Sequence, residues 1–184
     1  MRNRSLFAVT FFVTLGVSLA VLYLNRPKPT KKPTLTRVTD QILITSQLRS
    51  DDIRSVRRAG MKTIIDIRPD GETKDQTSSS EIKLASAAGG LAFHYIPVPH
   101  ETIPDGAVTA LASALATTER PALLYCRTGR RAVRLFALTE ASRADGPSAD
   151  AILRMVESAG FSAEDIRDNI EQRIETRAAA NTPN

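Results

Sequence analysis

The sequence predicts an α/β domain with a mainly parallel sheet of four to five strands and flanking helices, preceded by an N-terminal transmembrane helix. Three observations carry this expectation. Short β-branched or leucine-rich runs alternate with segments whose apolar residues recur at helical spacing. Strands separated by helices in this way build a parallel sheet covered on both faces. Ahead of them, Leu6 to Leu24 is apolar apart from Thr10, Thr14, Gly16 and Ser18. As a helix its 19 residues reach about 28 Å, close to the hydrocarbon thickness of a bilayer.

The N-terminal run reads as an uncleaved, single-pass anchor over residues 1–25. Ser18-Leu19-Ala20 offers a cleaved secretory signal as the alternative, with Arg2 and Arg4 as its basic flank, but the apolar run continues through Val21, Leu22 and Leu24. Basic residues flank both sides, so the positive-inside rule leans only weakly to a cytoplasmic domain. Residues 26–36, with prolines at 27, 29 and 33, form an extended linker. The folded domain is expected over 37–176, with a flexible tail over 177–184.

Composition narrows the function. The net charge of +5 comes from residues 1–32, which hold six basic side chains and no acidic one, leaving 19 basic against 20 acidic elsewhere. Nucleic acid is therefore not an expected partner. One cysteine and two histidines rule out an internal disulfide and a multi-cysteine metal site, and no metal or organic cofactor is implied. At 42% apolar residues, the chain can bury a real core.

Val38 to Thr45 reads as a first strand. Ser50 as N-cap and the acids Asp51 and Asp52 then open a helix with Ile53 and Val56 inward, closing at Gly60. Thr63 to Ile67 is a buried strand, and Pro69 to Ser80 a long loop. Ser78 and Glu81 form a capping box for a helix that ends near Gly89-Gly90. Leu91 to Val98 is a third strand, stopped by Pro97 and Pro99. Val108, Leu111, Ala112 and Leu115 share one helical face. Ala122 to Tyr125 is a fourth apolar strand, and Ala132 to Ala141 the helix after it. Ile152, Met155, Val156 and Ala159 mark one further helix, and Ile166, Ile170 and Ile174 another.

The fourth strand delivers Cys126, and ligands of parallel sheets bind at the carboxyl ends of strands. Cys126-Arg127-Thr128-Gly129-Arg130-Arg131 joins strand to helix, so its backbone N–H groups can converge on one anion. Gly129 allows the positive-φ turn that curls the loop. The same donors would hold Cys126 as a nucleophilic thiolate. Arg131, ahead of Arg130, is the candidate clamp for a bound anion, and the Thr128 hydroxyl either joins it or serves the turn. Three arginines within five residues of the single cysteine weigh against the plain alternative, an inert buried cysteine at a strand end. Ser46-Gln47 follows the first strand and can approach the same edge. His94 reads as structural.

Arg68-Pro69-Asp70-Gly71-Glu72 after one strand, Tyr95-Ile96-Pro97-Val98 at the end of another, and the Cys126–Arg131 loop together resemble the phosphatase-like domain of the beta-lactamase hydrolase-like proteins. The resemblance spans about Val38 to Phe161. It implies the fold of protein tyrosine and dual-specificity phosphatases, with Cys126 as nucleophile and Arg131 as phosphate clamp. The pattern departs from true phosphatases, whose loop places five residues between cysteine and arginine and a histidine before the cysteine. Here Ala132 fills the arginine position, Tyr125 replaces the histidine, and four residues separate Cys126 from Arg131. That is the loop length of single-domain rhodanese sulfurtransferases.

Three readings follow. A phosphatase would attack a phosphorylated substrate through Cys126 and needs an acid for the leaving oxygen. Asp105 is the first candidate, with a helix N-cap as its bland role; Glu101, His100 and Asp70 are supporting candidates. Asp70 and Glu72 have a plain alternative of their own, pairing with Arg68 or shaping the turn at Gly71. A sulfurtransferase would carry a Cys126 persulfide from a sulfane-sulfur substrate and needs no acid. A non-catalytic module would only dock anionic or phosphorylated ligands.

Overall fold

Short apolar strands determine how this chain organises, because the three central ones, Ile42–Thr45, Thr63–Asp66 and Ala122–Tyr125, are buried along their whole length. The structure, a computed structural model, describes residues 32–180. Its strands are β1 (Thr36–Arg37), β2 (Ile42–Thr45), β3 (Thr63–Asp66), β4 (Ala92–Tyr95) and β5 (Ala122–Tyr125), in the sheet order β1-β2-β5-β3-β4. Only β1 is antiparallel, paired with β2; the other pairs are parallel. The helices are α1 (Ile53–Arg58), α2 (Ser79–Ala88), α3 (Asp105–Thr117), α4 (Arg130–Ser142), α5 (Ala149–Ser158) and α6 (Arg167–Ala180).

Alternation along the strands sends side chains to two cores. Leu43, Ile64, Leu123 and Tyr125 meet Ile53 and Val56 of α1 and Ile82 of α2. On the opposite face Ile44, Ile65, Leu124 and Cys126 meet α3, α4, α5 and α6 through residues such as Leu111, Phe136, Ile152 and Ile170. The register aligns Thr45, Tyr125 and Asp66 across β2, β5 and β3, and Asp66 with Tyr95 of β4. All four following loops therefore leave the sheet at one edge.

Most expected elements form, and the differences have local causes. Val38 to Thr45 is not one strand. The Thr39 hydroxyl accepts the backbone N–H groups of Gln41 (3.2 Å) and Ile42 (3.1 Å), folding a turn that turns the segment into a hairpin. Ser50 does not cap α1. A short 3₁₀ turn, Ser50–Asp52, precedes that helix, and the Asp52 carboxylate takes the Arg49 N–H at 2.8 Å. The Ser78/Glu81 capping box is present on α2. Ala112 faces solvent, and Ala114 takes the inward place on α3. Beyond Tyr95 the third strand is interrupted by Pro97, although Ile96 and Val98 still donate to Asp66 and Ile67 of the β3 segment.

α6 continues past residue 176. Arg177 lies within it and donates to the carbonyls of Glu140, Ala141, Gly146 and Pro147, tying the helix to the end of α4. Among the described residues no helix is long and apolar enough to cross a membrane. The expected anchor, most of the linker and residues 181–184 lie outside the described residues.

Candidate functional site

β5 lies between β2 and β3, so Cys126 emerges at the middle of the carboxyl edge. It is 1% exposed, while Arg127, Thr128 and Arg130 around it are exposed. Gly129 is the N-cap of α4 at φ +88°, and its carbonyl accepts Val133 N–H at 3.0 Å. A Cβ there would lie 3.0 Å from Ile44 Cγ2 and 3.1 Å from the Phe161 ring. Backbone conformation and packing both exclude a side chain. Gly129→Ala is expected to destabilise the fold by about 1–3 kcal/mol, the usual scale of strain at such a residue. It should also weaken tungstate binding; chemical denaturation and calorimetric titration measure the two effects.

The loop is held from two sides. Gln47 N–H donates to the Arg127 carbonyl at 3.3 Å, and Gln47 Oε1 accepts Arg68 Nη1 at 2.5 Å. Arg68, 3% exposed, donates through Nε to Glu72 Oε2 at 2.8 Å. The other Glu72 oxygen pairs with Arg131 Nη1 at 2.7 Å, and that nitrogen also donates to the Val98 carbonyl at 2.6 Å. Burial alone would push the Glu72 carboxyl up, but Arg131 and Arg68 outweigh it and hold it below the usual carboxylate range. Arg131 is thus 9% exposed and pre-set at the start of α4. One glutamate against two arginines leaves net positive charge beside the loop, and the exposed Arg127 and Arg130 add to it.

Behind Arg68 lies a buried acid that the sequence did not single out. Asp66 is 1% exposed and accepts the Arg68 N–H at 2.9 Å. Burial pushes its carboxyl up to about 6, against the smaller pulls of the neighbouring Tyr125 hydroxyl and the Arg68 amide. A group raised on folding stabilises the fold most below its unfolded value, and that contribution is lost as pH rises through about 6. Asp66→Asn is therefore expected to stabilise the protein near pH 7.5 by roughly 2–3 kcal/mol relative to its effect near pH 4. Urea unfolding at the two pH values tests this, and an equal effect at both would overturn it.

The remaining candidates separate. Asp70 accepts Ser79 N–H at 2.7 Å and Ser79 Oγ at 2.6 Å, anchoring the start of α2, while its own N–H donates to Tyr95 Oη at 2.9 Å. Asp105 is the first residue of α3 rather than its N-cap, which is Pro104, and its carboxylate pairs with Arg173 of α6. Asp105, His100 and Glu101 share with Arg131 the lining of an open cleft of about 800 Å³, whereas Cys126 and residues 127–130 do not line it. His94 is half-buried on β4, an edge strand. Sequence reasoning named the Glu72–Arg68 pair and the approach of Gln47 as alternatives, and it missed the second contact of Glu72 with Arg131 and the pairing of Arg173 with Asp105. Arg68 and Glu72, four apart in a Pro-Asp-Gly turn, were the only one of these pairs with a local signal.

Residues 34–143 match the family described as beta-lactamase hydrolase-like protein, phosphatase-like domain. A beta-lactamase hydrolase-like protein of Xylella fastidiosa is 34% identical over 103 residues, 56% of this chain and 24% of that protein. One from Agrobacterium fabrum is 34% identical over 105 residues, 57% of this chain and 24% of its own length. The chain thus spans about a quarter of the length of these curated relatives. Among solved structures it is similar to a candidate phosphatase from Neisseria meningitidis, at 31% identity and TM-score 0.66, covering 75% of this chain and 96% of that one. The core catalytic domain of the PP-IP phosphatase SIW14 from S. cerevisiae shares the fold at 17% identity and TM-score 0.57, covering 83% and 95%.

Proposed function

This chain belongs to the beta-lactamase hydrolase-like protein, phosphatase-like domain family, and on that footing we propose that it is a cysteine-dependent phosphatase-like hydrolase acting on phosphate esters. The observation that carries the reading is the placement of Cys126 at the mouth of a loop closed by Gly129, with Arg131 oriented by Glu72 and Val98. In this reading those parts supply a nucleophile, backbone donors and a cation held by Glu72 and Val98.

In this mechanism the Cys126 thiolate attacks phosphorus. A P–S bond forms as the P–O bond to the leaving oxygen breaks, and the loop amides with Arg131 hold the equatorial oxygens. Asp105 is the acid that protonates the leaving oxygen, with His100 or Glu101 at the same cleft as its substitutes. Water, passing a proton back to the Asp105 carboxylate, then attacks phosphorus, the P–S bond breaks, and phosphate and the thiolate are released. The apolar run Leu6–Leu24 supports tethering of this activity to a membrane.

Loop length favours a second reading. Four residues between Cys126 and Arg131 enclose a smaller ring than five would, which suits a sulfane sulfur carried as a persulfide. The deciding assay presents the reduced, detergent-purified chain with an aryl phosphate and, separately, with thiosulfate and cyanide. Cys126-dependent phosphate release supports the phosphatase. Thiocyanate formation with a persulfide mass on Cys126, and no phosphate release, replaces it with a sulfurtransferase. Inactivity in both, with anion binding intact after alkylation of Cys126, leaves a docking module.

A further inference from the structure

We propose that Arg173 is a positioning residue that holds Asp105 withdrawn, so that the proton donor must leave an ion pair before it can serve the leaving group. The inference rests on the reading of Asp105 as the acid. Arg173 lies on α6, beyond the 34–143 span of the family match. Its Nη2 pairs with Asp105 Oδ1, and its Nη1 donates to Ser142 Oγ at the end of α4 at 3.2 Å. Among the described residues Arg173 is the one side-chain partner of that carboxylate.

The two ends of the pair differ in freedom. The Asp105 side chain is 87% exposed, whereas that of Arg173 is 23% exposed. α6 is further fixed by Arg177 on carbonyls in the last turn of α4 and just after it, and Asp165 in the turn before α6 pairs with Arg134 of α4 at 2.8 Å. Opening the Arg173 pair therefore moves Asp105 and leaves the helix in place. Arg173 and Asp105 line the same cleft as Arg131, and with Asp105 read as the acid that cleft is where the leaving group departs. An oxygen turned towards Arg173 is not turned towards that group. The pair is exposed on one side, so it biases the acid by a small factor rather than locking it.

The test uses the full chain and two substrates compared by kcat/KM, which reports the steps up to departure of the leaving group. Phenyl phosphate has a basic leaving oxygen that needs a proton, while 2,4-dinitrophenyl phosphate expels an oxygen that does not. In Arg173→Met the ratio of kcat/KM on phenyl phosphate to kcat/KM on the dinitrophenyl ester should rise about two- to fivefold. Arg173→Lys should restore a ratio near the starting one. In the unaltered chain the ratio should also climb with ionic strength, and in Arg173→Met it should not.

Adding Asp105→Asn to Arg173→Met must erase the gain; a gain that persists places the effect of Arg173 elsewhere and overturns the inference. A ratio that stays level or falls in Arg173→Met overturns it too. If Asp105→Asn alone leaves the ratio unchanged, the acid assignment fails and takes the inference with it, while Cys126-dependent hydrolysis survives. Absence of phosphate release from both esters removes the phosphatase reading itself.

Discussion

Replacing Cys126 by serine is expected to lower kcat/KM towards an aryl phosphate by about 10³- to 10⁶-fold, the range seen when an enzyme loses its nucleophile. The substitution changes one atom at a site only 1% exposed, so packing against Ile44, Leu124 and α4 should survive. What disappears is the sulfur that the proposed mechanism uses as nucleophile. A serine hydroxyl needs a neighbouring base to attack phosphorus, and the residue before it is Tyr125, whose hydroxyl is buried beside Asp66. Burial pushes that phenol further up from its ordinary range, so it offers no base either. Tungstate affinity should change little, because the loop amides and Arg131 remain. Steady-state kinetics beside calorimetric binding separate the two effects; full activity in the serine variant would place the nucleophile elsewhere.

Arg131→Lys should cost about 10²-fold in kcat/KM, although charge is conserved. The Arg131 guanidinium already gives one nitrogen to both Val98 and Glu72, and its planar fork keeps further donors in a fixed plane for an anion. A lysine has a single ammonium, which cannot satisfy the Val98 carbonyl, face Glu72 and grip a phosphoryl group together. The loss should fall mainly on kcat if the contact strengthens as charge spreads over the equatorial oxygens. Glu72 stays compensated by Arg68, so the melting temperature should shift by a few degrees at most. An unchanged kcat/KM would make Arg131 a strut between two loops rather than part of the phosphate site.

Much of the architecture was legible along the chain because each element carries its own local cause. The capping box at Ser78 and Glu81, the β-branched run before Asp66 and the four-residue spacing of Ile166, Ile170 and Ile174 act over a few residues. Errors arose where a local competitor lay within a pattern. Thr39 folds a turn inside an apparent strand, and Asp105 enters α3 one position later than a capping residue would. Neither changes the hydrophobic periodicity by which the segments are recognised.

The sequence by itself determined the parallel α/β class, the position of Cys126 at a strand end and the glycine-closed, arginine-rich loop, because strand burial, glycine conformation and loop charge are properties of neighbouring residues. Only the tertiary structure decided which distant groups serve that loop. Glu72 meets Arg131, and Gln47 meets Arg68, because β5 inserts between β2 and β3 and brings the loops after three strands to one edge. Arg173 meets Asp105 because α6 folds back along α4. These contacts depend on strand order and helix packing, and no short-range pattern in a single chain records either.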